Sequence, residues 1–297
     1  MRYDPNVPIL IPEANHEKID LIRNQGYPQT GFCVTNANCV TTGLAMAVAP
    51  LRKYGIKTIT VNSYQSVSGA GYPGLSSFDI TDNCIPYIGG EEEKIEKEVK
   101  KILSIDPDVY AYTVRVPVMF GHLETVWLDF EQDVTPEMVI EDWKNFNIVP
   151  ELPSTPAQAI EYSSENTFPQ PKYAFWGNPK GMVIYTGRLK KKNGRIGFCL
   201  MVNNIVKGAA GGSIQNAELF VKQYGLICRV PISFRHIFSH NKVCGTGSAC
   251  GSCSAFCIEA QKNTRFPACM HVYSFCHLHS SSSILDMTVL QSFTCTL

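Results

Sequence analysis

The sequence predicts an α/β fold, and three observations carry that prediction. Helical periodicity marks residues 41–54 and 91–103, a β-branched alternating run occupies 56–64, and two apolar runs, 182–189 and 196–202, are joined by KKKNGR. Asn193-Gly194 in that joint is the strongest short signal for a two-residue hairpin turn, so those two runs pair antiparallel.

Each element follows from its own residues. Over 41–54, Leu44, Ala47, Val48 and Leu51 share one helical face, Pro50 kinks the last turn, and Gly55 stops it. The strand IKTITVNSY at 56–64 runs into the glycine-rich loop SVSGAGYPG. Over 91–103, three glutamates suit a helix N-terminus, Ile95, Val99 and Ile102 form one apolar face, and lysines occupy the last turns. A further strand spans 109–119, with Arg115 its one charge. A helix capped by Thr135, with Pro136 at its first position, reaches about Phe146. Six prolines between 147 and 180 predict a long surface loop, and after Gly211-Gly212 a final helix covers 213–224, ended by Gly225.

Composition narrows the function. Lys plus Arg is 26 against 26 acidic residues, so no net field attracts nucleic acid or an anionic membrane. Nowhere does an uncharged apolar run reach the about 18–20 residues that span a bilayer, and residues 1–15 lack the pattern of a signal peptide. A cytoplasmic protein is expected. Of 12 cysteines, four lie in residues 1–227 and eight in 228–297, a stretch that holds only two acids, Glu259 and Asp286. Cys250, Cys253, Cys257 and His271 have the ligand types of a zinc site, but this tail shows no periodic pattern, and no metal site is expected.

Cys39, in TNANCVTTG, stands at a helix start, where unpaired backbone N–H groups and the helix dipole favour a thiolate. That setting suits a nucleophile, although by spacing alone a small buried cysteine at a helix start is the commoner case. A thiol nucleophile needs a base, and residues 1–227 offer His16 and His122; His122, in RVPVMFGHLE, is the better placed. Arg115, alone in an apolar strand, is either a receptor for a carboxylate or half of a structural ion pair. The string from Gly69 to Gly74 matches a dinucleotide fingerprint, but Pro73 and the lack of a following helix make it a tight loop. The glycine-rich stretch from Lys207 to Gly212 leads into a helix start that suits an anion or close packing.

Five segments in order, TNANCVTTGLAMAVAPL, QSVSGAGYPG, NCIPYIGGEEEKIEKEVKKIL, RVPVMFGHLE and AAGGSIQNAEL, resemble aspartate-β-semialdehyde dehydrogenases of the fungal and archaeal type, over about residues 4–227. The resemblance implies a mixed, largely antiparallel sheet with helices on one face, following a truncated Rossmann domain. It implies NADPH-dependent reductive dephosphorylation of L-aspartyl 4-phosphate to L-aspartate 4-semialdehyde, on the way to lysine, methionine, threonine and isoleucine. By that resemblance Cys39 forms the acyl thioester, Gln65 positions it, and His122 is the acid/base. Arg115 binds the substrate carboxylate, Glu92 its amino group and Lys94 the phosphate, while Asn36, Ser68, Gly69 and Asn216 meet NADP(H). The expected partners are a small-molecule substrate with phosphate and further copies of the chain, as homodimer or homotetramer, with no nucleic acid and no membrane.

The implied organisation is the end of a truncated NADP-binding domain at 1–35, a catalytic and dimerisation domain at 36–211, a helix returning to the cofactor domain at 212–227, and an unrelated, disordered Cys/Ser-rich tail at 228–297. Two departures stand out. No GxxGxxG turn precedes Cys39, which leaves a catalytically inactive dimerisation fragment as the alternative reading, and Val40 replaces the serine usual beside the cysteine.

Overall fold

A computed structural model describes residues 1–146, 151–225, 255–263 and 266–275, the last two stretches as backbone. Its strands are β1 (Ile9–Leu10), β2 (Phe32–Asn36), β3 (Ile56–Gln65), β4 (Asp108–Arg115), β5 (His122–Phe130), β6 (Ile160–Ser163), β7 (Ile184–Lys192), β8 (Arg195–Val202), β9 (Ala255–Asn263) and β10 (Phe266–Phe275). Its α-helices are α1 (Pro12–Asn15), α2 (Cys39–Val48), α3 (Ser77–Ile80), α4 (Glu91–Leu103), α5 (Pro136–Lys144) and α6 (Gly211–Tyr224).

The β-branched run of β3 lies inside a six-stranded sheet of order β4-β3-β5-β8-β7-β6. The pairs β3–β4 and β6–β7 are parallel and the other three antiparallel, so the sheet is mixed and largely antiparallel. Asn193 and Gly194 both take positive φ, 50° and 77°, and make the two-residue turn between β7 and β8. Side chains alternate across the sheet. One face, carrying Ile59, Val61, Ala111 and Val126, packs on residues of α2, α4 and α5, where Trp143 is fully buried and donates from Nε1 to the Ala47 carbonyl at 2.8 Å. The other face leaves Tyr64, Tyr110 and Tyr112 exposed.

Several expectations need correction. The predicted helix 41–54 begins earlier, at Cys39, and becomes a 3₁₀ segment, Ala49–Tyr54, at Pro50. Strand β5, which the sequence reading passes over, is a central strand of the sheet. Its alternation is hidden because two of its five inward positions are polar, His122 and Glu124, followed by Val126, Leu128 and Phe130. The stretch 147–180 is not wholly a surface loop, since it supplies edge strand β6 and buries Leu152 and Ala159.

A second sheet has the order β1-β2-β9-β10. β2 pairs with β1 in parallel and with β9 antiparallel, from Phe32↔Ile258 to Thr35↔Ala255. The tail expected to be disordered thus contains a hairpin, because β2 offers an unpaired edge and 255–263 alternates Phe256, Ile258 and Ala260 with Cys257, Glu259 and Gln261. Cys250 and Cys253 lie outside the described residues.

Helix α6 folds back on the first 36 residues. Its Leu219 and Phe220 are buried with Leu10, Ile19, Ile22, Phe32, Val34 and Leu152. Beneath its start, Lys207 Nζ is buried and donates to both carboxylate oxygens of Glu13 at 2.6 Å and to Gln215 Oε1 at 2.7 Å. Gln215 Nε2 in turn donates to Glu13 Oε1 at 2.7 Å. Every partner in this buried pair is satisfied, which is the condition under which a buried charge is tolerated.

Candidate active site

Cys39 is the first residue of α2, and Asn38 caps that helix, its Oδ1 accepting from the N–H groups of Val40 and Thr41 at 3.0 and 3.3 Å. Asn38 is itself pinned, its N–H donating to Glu98 Oε2 and its Nδ2 to Glu91 Oε2, each at 2.6 Å. The helix start therefore has no freedom to shift. Strand β5 begins at His122, whose Nε2 lies 3.1 Å from Cys39 Sγ. Arg115 ends β4 on the same face, buried, and donates from Nη1 to the Ser66 carbonyl at 2.7 Å.

Two glycines make this crowding feasible. A Cβ at Gly69 would come within 2.8 Å of Arg115 Nη1 and 3.1 Å of His122 Cε1, and one at Gly208 within 2.8 Å of Cys39 Cβ. The loop after β3 and the loop before α6 both press their backbones onto the cysteine–histidine pair.

The electrostatics revise the thiolate expected from the helix start. Burial pushes the Cys39 thiol up to about 12, with Glu91 adding to the rise, while Arg115 and the Val40 N–H pull the other way. Burial, then Arg115, pushes His122 down to about 3. Burial thus favours a neutral thiol beside a neutral imidazole, outweighing the Arg115 charge and the Val40 N–H at the cysteine.

The remaining predicted residues divide. Glu92 Oε1 accepts from the Thr113 N–H at 3.0 Å and Thr113 Oγ1 at 3.3 Å, which ties it to β4. Its neighbour Glu91 is the buried carboxylate beside the pair, bonded to Asn38 and to Lys94 Nζ at 2.8 Å. Lys94 therefore pairs with Glu91, three residues back on the same helix face, while Glu92 turns toward β4. Gln65 is buried on the same strand face and donates from Nε2 to Ser63 Oγ at 3.2 Å. Asn36 and Asn216 meet, Asn216 Nδ2 donating to Asn36 Oδ1 at 2.8 Å, and Asn216 Oδ1 is buried with no hydrogen-bond partner among the described residues. Ser68 Oγ accepts from Asn204 Nδ2 at 2.9 Å. Sequence reasoning missed Asn204 and Ser66, since asparagine and serine in loops carry no signal that sets one copy apart; at Gly208 the close-packing reading of the 207–212 stretch matches the contact with Cys39.

A thiol held against an imidazole, flanked by a buried guanidinium and a carboxylate on an α/β scaffold, is the constellation of the class of enzymes that work through a nucleophilic cysteine. Residues 48–207 match the semialdehyde dehydrogenase dimerisation domain. The chain is 40% identical over 237 residues to an aspartate-semialdehyde dehydrogenase of Archaeoglobus fulgidus, covering 75% of this chain and 68% of that one. It is 35% identical over 241 residues to a malonyl CoA reductase (NADP) of Metallosphaera sedula, at the same coverage. A crystal structure of aspartate semialdehyde dehydrogenase with NADP from Candida albicans superposes with a TM-score of 0.64 at 29% identity, over 76% of this chain and 69% of that one. The chain belongs to the aspartate-semialdehyde dehydrogenase family.

Proposed function

We propose that this chain works as an NADP(H)-dependent aspartate-semialdehyde dehydrogenase, with Cys39 as nucleophile and His122 as the proton-handling group. The single observation that carries the assignment of roles is the 3.1 Å approach of Cys39 Sγ to His122 Nε2 beside buried Arg115. The Cys39 S–H proton passes to His122 Nε2 as the sulfur attacks the acyl carbon of L-aspartyl 4-phosphate; the S–C bond forms, the C–O bond to phosphate breaks, and phosphate leaves with its electron pair. Once the thioester carbon is reduced, the oxyanion collapses, the C–S bond breaks with its electron pair returning to the Cys39 sulfur, and L-aspartate 4-semialdehyde is released. His122 Nε2–H donates to the oxyanion in both halves. Arg115 receives the substrate α-carboxylate, Glu91 its ammonium group, and Lys94 the phosphate.

The residues present fit NADP(H). Asn216 Oδ1, buried and without a hydrogen-bond partner among the described residues, is an acceptor suited to a carboxamide N–H; Asn36 is bonded to Asn216, Ser68 to Asn204, and Gly69 packs against the His122 ring. When bound, NADP(H) supplies or accepts the hydride. The exposed tyrosines of the open sheet face, within a domain whose family is described by dimerisation, support a homodimer, and four free cysteines in the body support a reducing, cytoplasmic setting.

The test is phosphate-dependent reduction of NADP by L-aspartate 4-semialdehyde. Wild type should turn over, Cys39→Ala should not, and Arg115→Lys should raise KM more than it lowers kcat, because lysine lacks the two-pronged contact. Preference for malonyl-CoA in the reductive direction would instead assign the activity of the Metallosphaera relative. No NADPH binding by calorimetry would leave the inactive-fragment reading.

A further inference from the structure

Two carboxylates of α4 hold the residue that precedes the nucleophile. Glu91 and Glu98 stand seven residues apart, two turns along one buried helix face, with Ile95 between them. Both reach Asn38, but at different atoms: Glu91 Oε2 accepts from the side-chain Nδ2 and Glu98 Oε2 from the backbone N–H, each at 2.6 Å. The other Glu98 oxygen accepts from Arg2 Nη1 at 2.7 Å in a buried ion pair. Burial raises the Glu98 pKa, and Arg2 and then the Asn38 N–H pull it back. Each oxygen of this buried group therefore faces a donor, the condition under which a carboxylate is tolerated in a protein interior.

The two contacts differ in what else they serve. Glu91 also accepts from Lys94 at 2.8 Å and, in the function proposed above, receives the substrate ammonium group, so its hold on the Asn38 side chain shares oxygens with the substrate site. Glu98 is fully buried and both its oxygens are engaged. We propose that Glu98, balanced by Arg2, is a positioning residue for Cys39: it fixes the backbone entering α2 independently of the substrate site, and so keeps the sulfur within reach of His122 Nε2 while Glu91 gains and loses the substrate. The peptide ahead of Cys39 is held by Glu98, and the N–H groups of Val40 and Thr41 after it are held by Asn38 Oδ1. The direction of the Cys39 side chain, and with it the 3.1 Å approach to His122, follows from backbone fixed on both sides. Without an acceptor at position 98 the Asn38 N–H is buried and unsatisfied, and the chain relieves that cost by rotating the peptide ahead of the nucleophile.

This role rests on Cys39 being the nucleophile and Glu91 the ammonium acceptor, and the first measurement needs neither substrate nor cofactor. It is amide hydrogen exchange of the full chain by NMR, with the Trp143 indole N–H, bonded to Ala47 near the other end of α2, as internal reference. In wild type the Asn38 N–H should exchange as slowly as that reference; an Asn38 N–H as fast as exposed loop amides overturns the proposal without any variant having to fold. Two double variants then separate positioning from stability. Arg2→Met with Glu98→Leu removes the ion pair and the acceptor together, whereas Arg2→Met with Glu98→Gln removes the same ion pair and keeps an oxygen for the Asn38 N–H, and neither leaves a charge buried alone. In the leucine variant, Asn38, Val40 and Thr41 should exchange about tenfold faster relative to the reference, the effect of one lost hydrogen bond to a charged group, and glutamine should restore them. In NADP reduction by L-aspartate 4-semialdehyde, the leucine variant should lose about tenfold in kcat with KM within about twofold, because Arg115 and Glu91 keep their places, and glutamine should recover most of kcat. An ion pair that only stabilises the fold would speed exchange at all amides together and leave the two variants alike in kcat. That pattern, or a KM that rises as kcat falls, overturns the proposal. A wild type without turnover counts against the substrate assignment instead, and the exchange rates then decide alone.

Discussion

Glu124→Gln should change how the stability of this protein depends on pH. Glu124 is fully buried on β5, neither carboxylate oxygen has a hydrogen-bond partner among the described residues, and burial alone raises its pKa well above the ordinary value. The folded protein therefore keeps this proton at a pH where the unfolded chain, with a glutamate pKa of about 4.3, has released it. Unfolding releases a proton throughout that window, so stability falls as pH rises from the unfolded pKa toward the folded one, by at most ~1.4 kcal/mol per pH unit. Glutamine has the size of the neutral acid and cannot titrate. Urea unfolding of both proteins at pH 5, 6, 7 and 8 isolates the effect, because every other titrating group cancels in the difference. The variant should gain on wild type as pH rises above 5, by at most ~1.4 kcal/mol per pH unit, and the gain should level off once the folded-state pKa is passed. A difference that stays flat with pH, or that favours wild type as pH rises, would show that Glu124 is ionised and paired in solution.

Other perturbations test the packing around the site. Gly208→Ala places a methyl group where 2.8 Å separates it from Cys39 Cβ, so turnover should fall more than tenfold while circular dichroism stays native. Lys207→Met leaves the Glu13 carboxylate buried without its cation and should cost ~3–5 kcal/mol in urea unfolding, with Glu13→Leu in the same chain restoring part of the loss. Trp143→Ala removes a fully buried indole and its bond to Ala47 and should cost about 3–5 kcal/mol, read as a lowered Tm.

The elements that depend on local chemistry were legible. Helix α4 runs over the residues its amphipathic pattern marks, the Asn193-Gly194 turn joins β7 to β8, and Thr135 caps α5 by accepting from the Met138 N–H. What escaped was what tertiary contact decides. Strand β5 was hidden because His122 and Glu124 occupy inward positions that a period-two search expects to be apolar. The hairpin β9–β10 pairs along β2, more than two hundred residues away, and the short alternation at 255–263 does not by itself name that partner. At the site, Cys39, His122 and Arg115 were identified as types suited to the chemistry and are brought together. A helix start is visible in sequence and desolvation is not, so the upward push of burial on the Cys39 thiol has no signal there. Three consecutive glutamates look alike in sequence and differ in which way the helix turns them, Glu91 toward Asn38 and Glu92 toward Thr113.

The junction of Lys207 with Gly208 links two parts of the chain that lie far apart in sequence. Lys207 is anchored to Glu13 in α1, and Gly208, the next residue, rests against the nucleophile. The backbone between these contacts is a single peptide unit, so the Lys207–Glu13 ion pair anchors the very stretch of backbone that packs against Cys39. Length variation in the loops of this enzyme has room at the β7–β8 turn, where a Cβ on Gly194 would meet only open space. Between Asn203 and Gly212 one inserted residue would move the sulfur's floor by most of the 3.8 Å between successive Cα atoms, more than the whole gap to the imidazole.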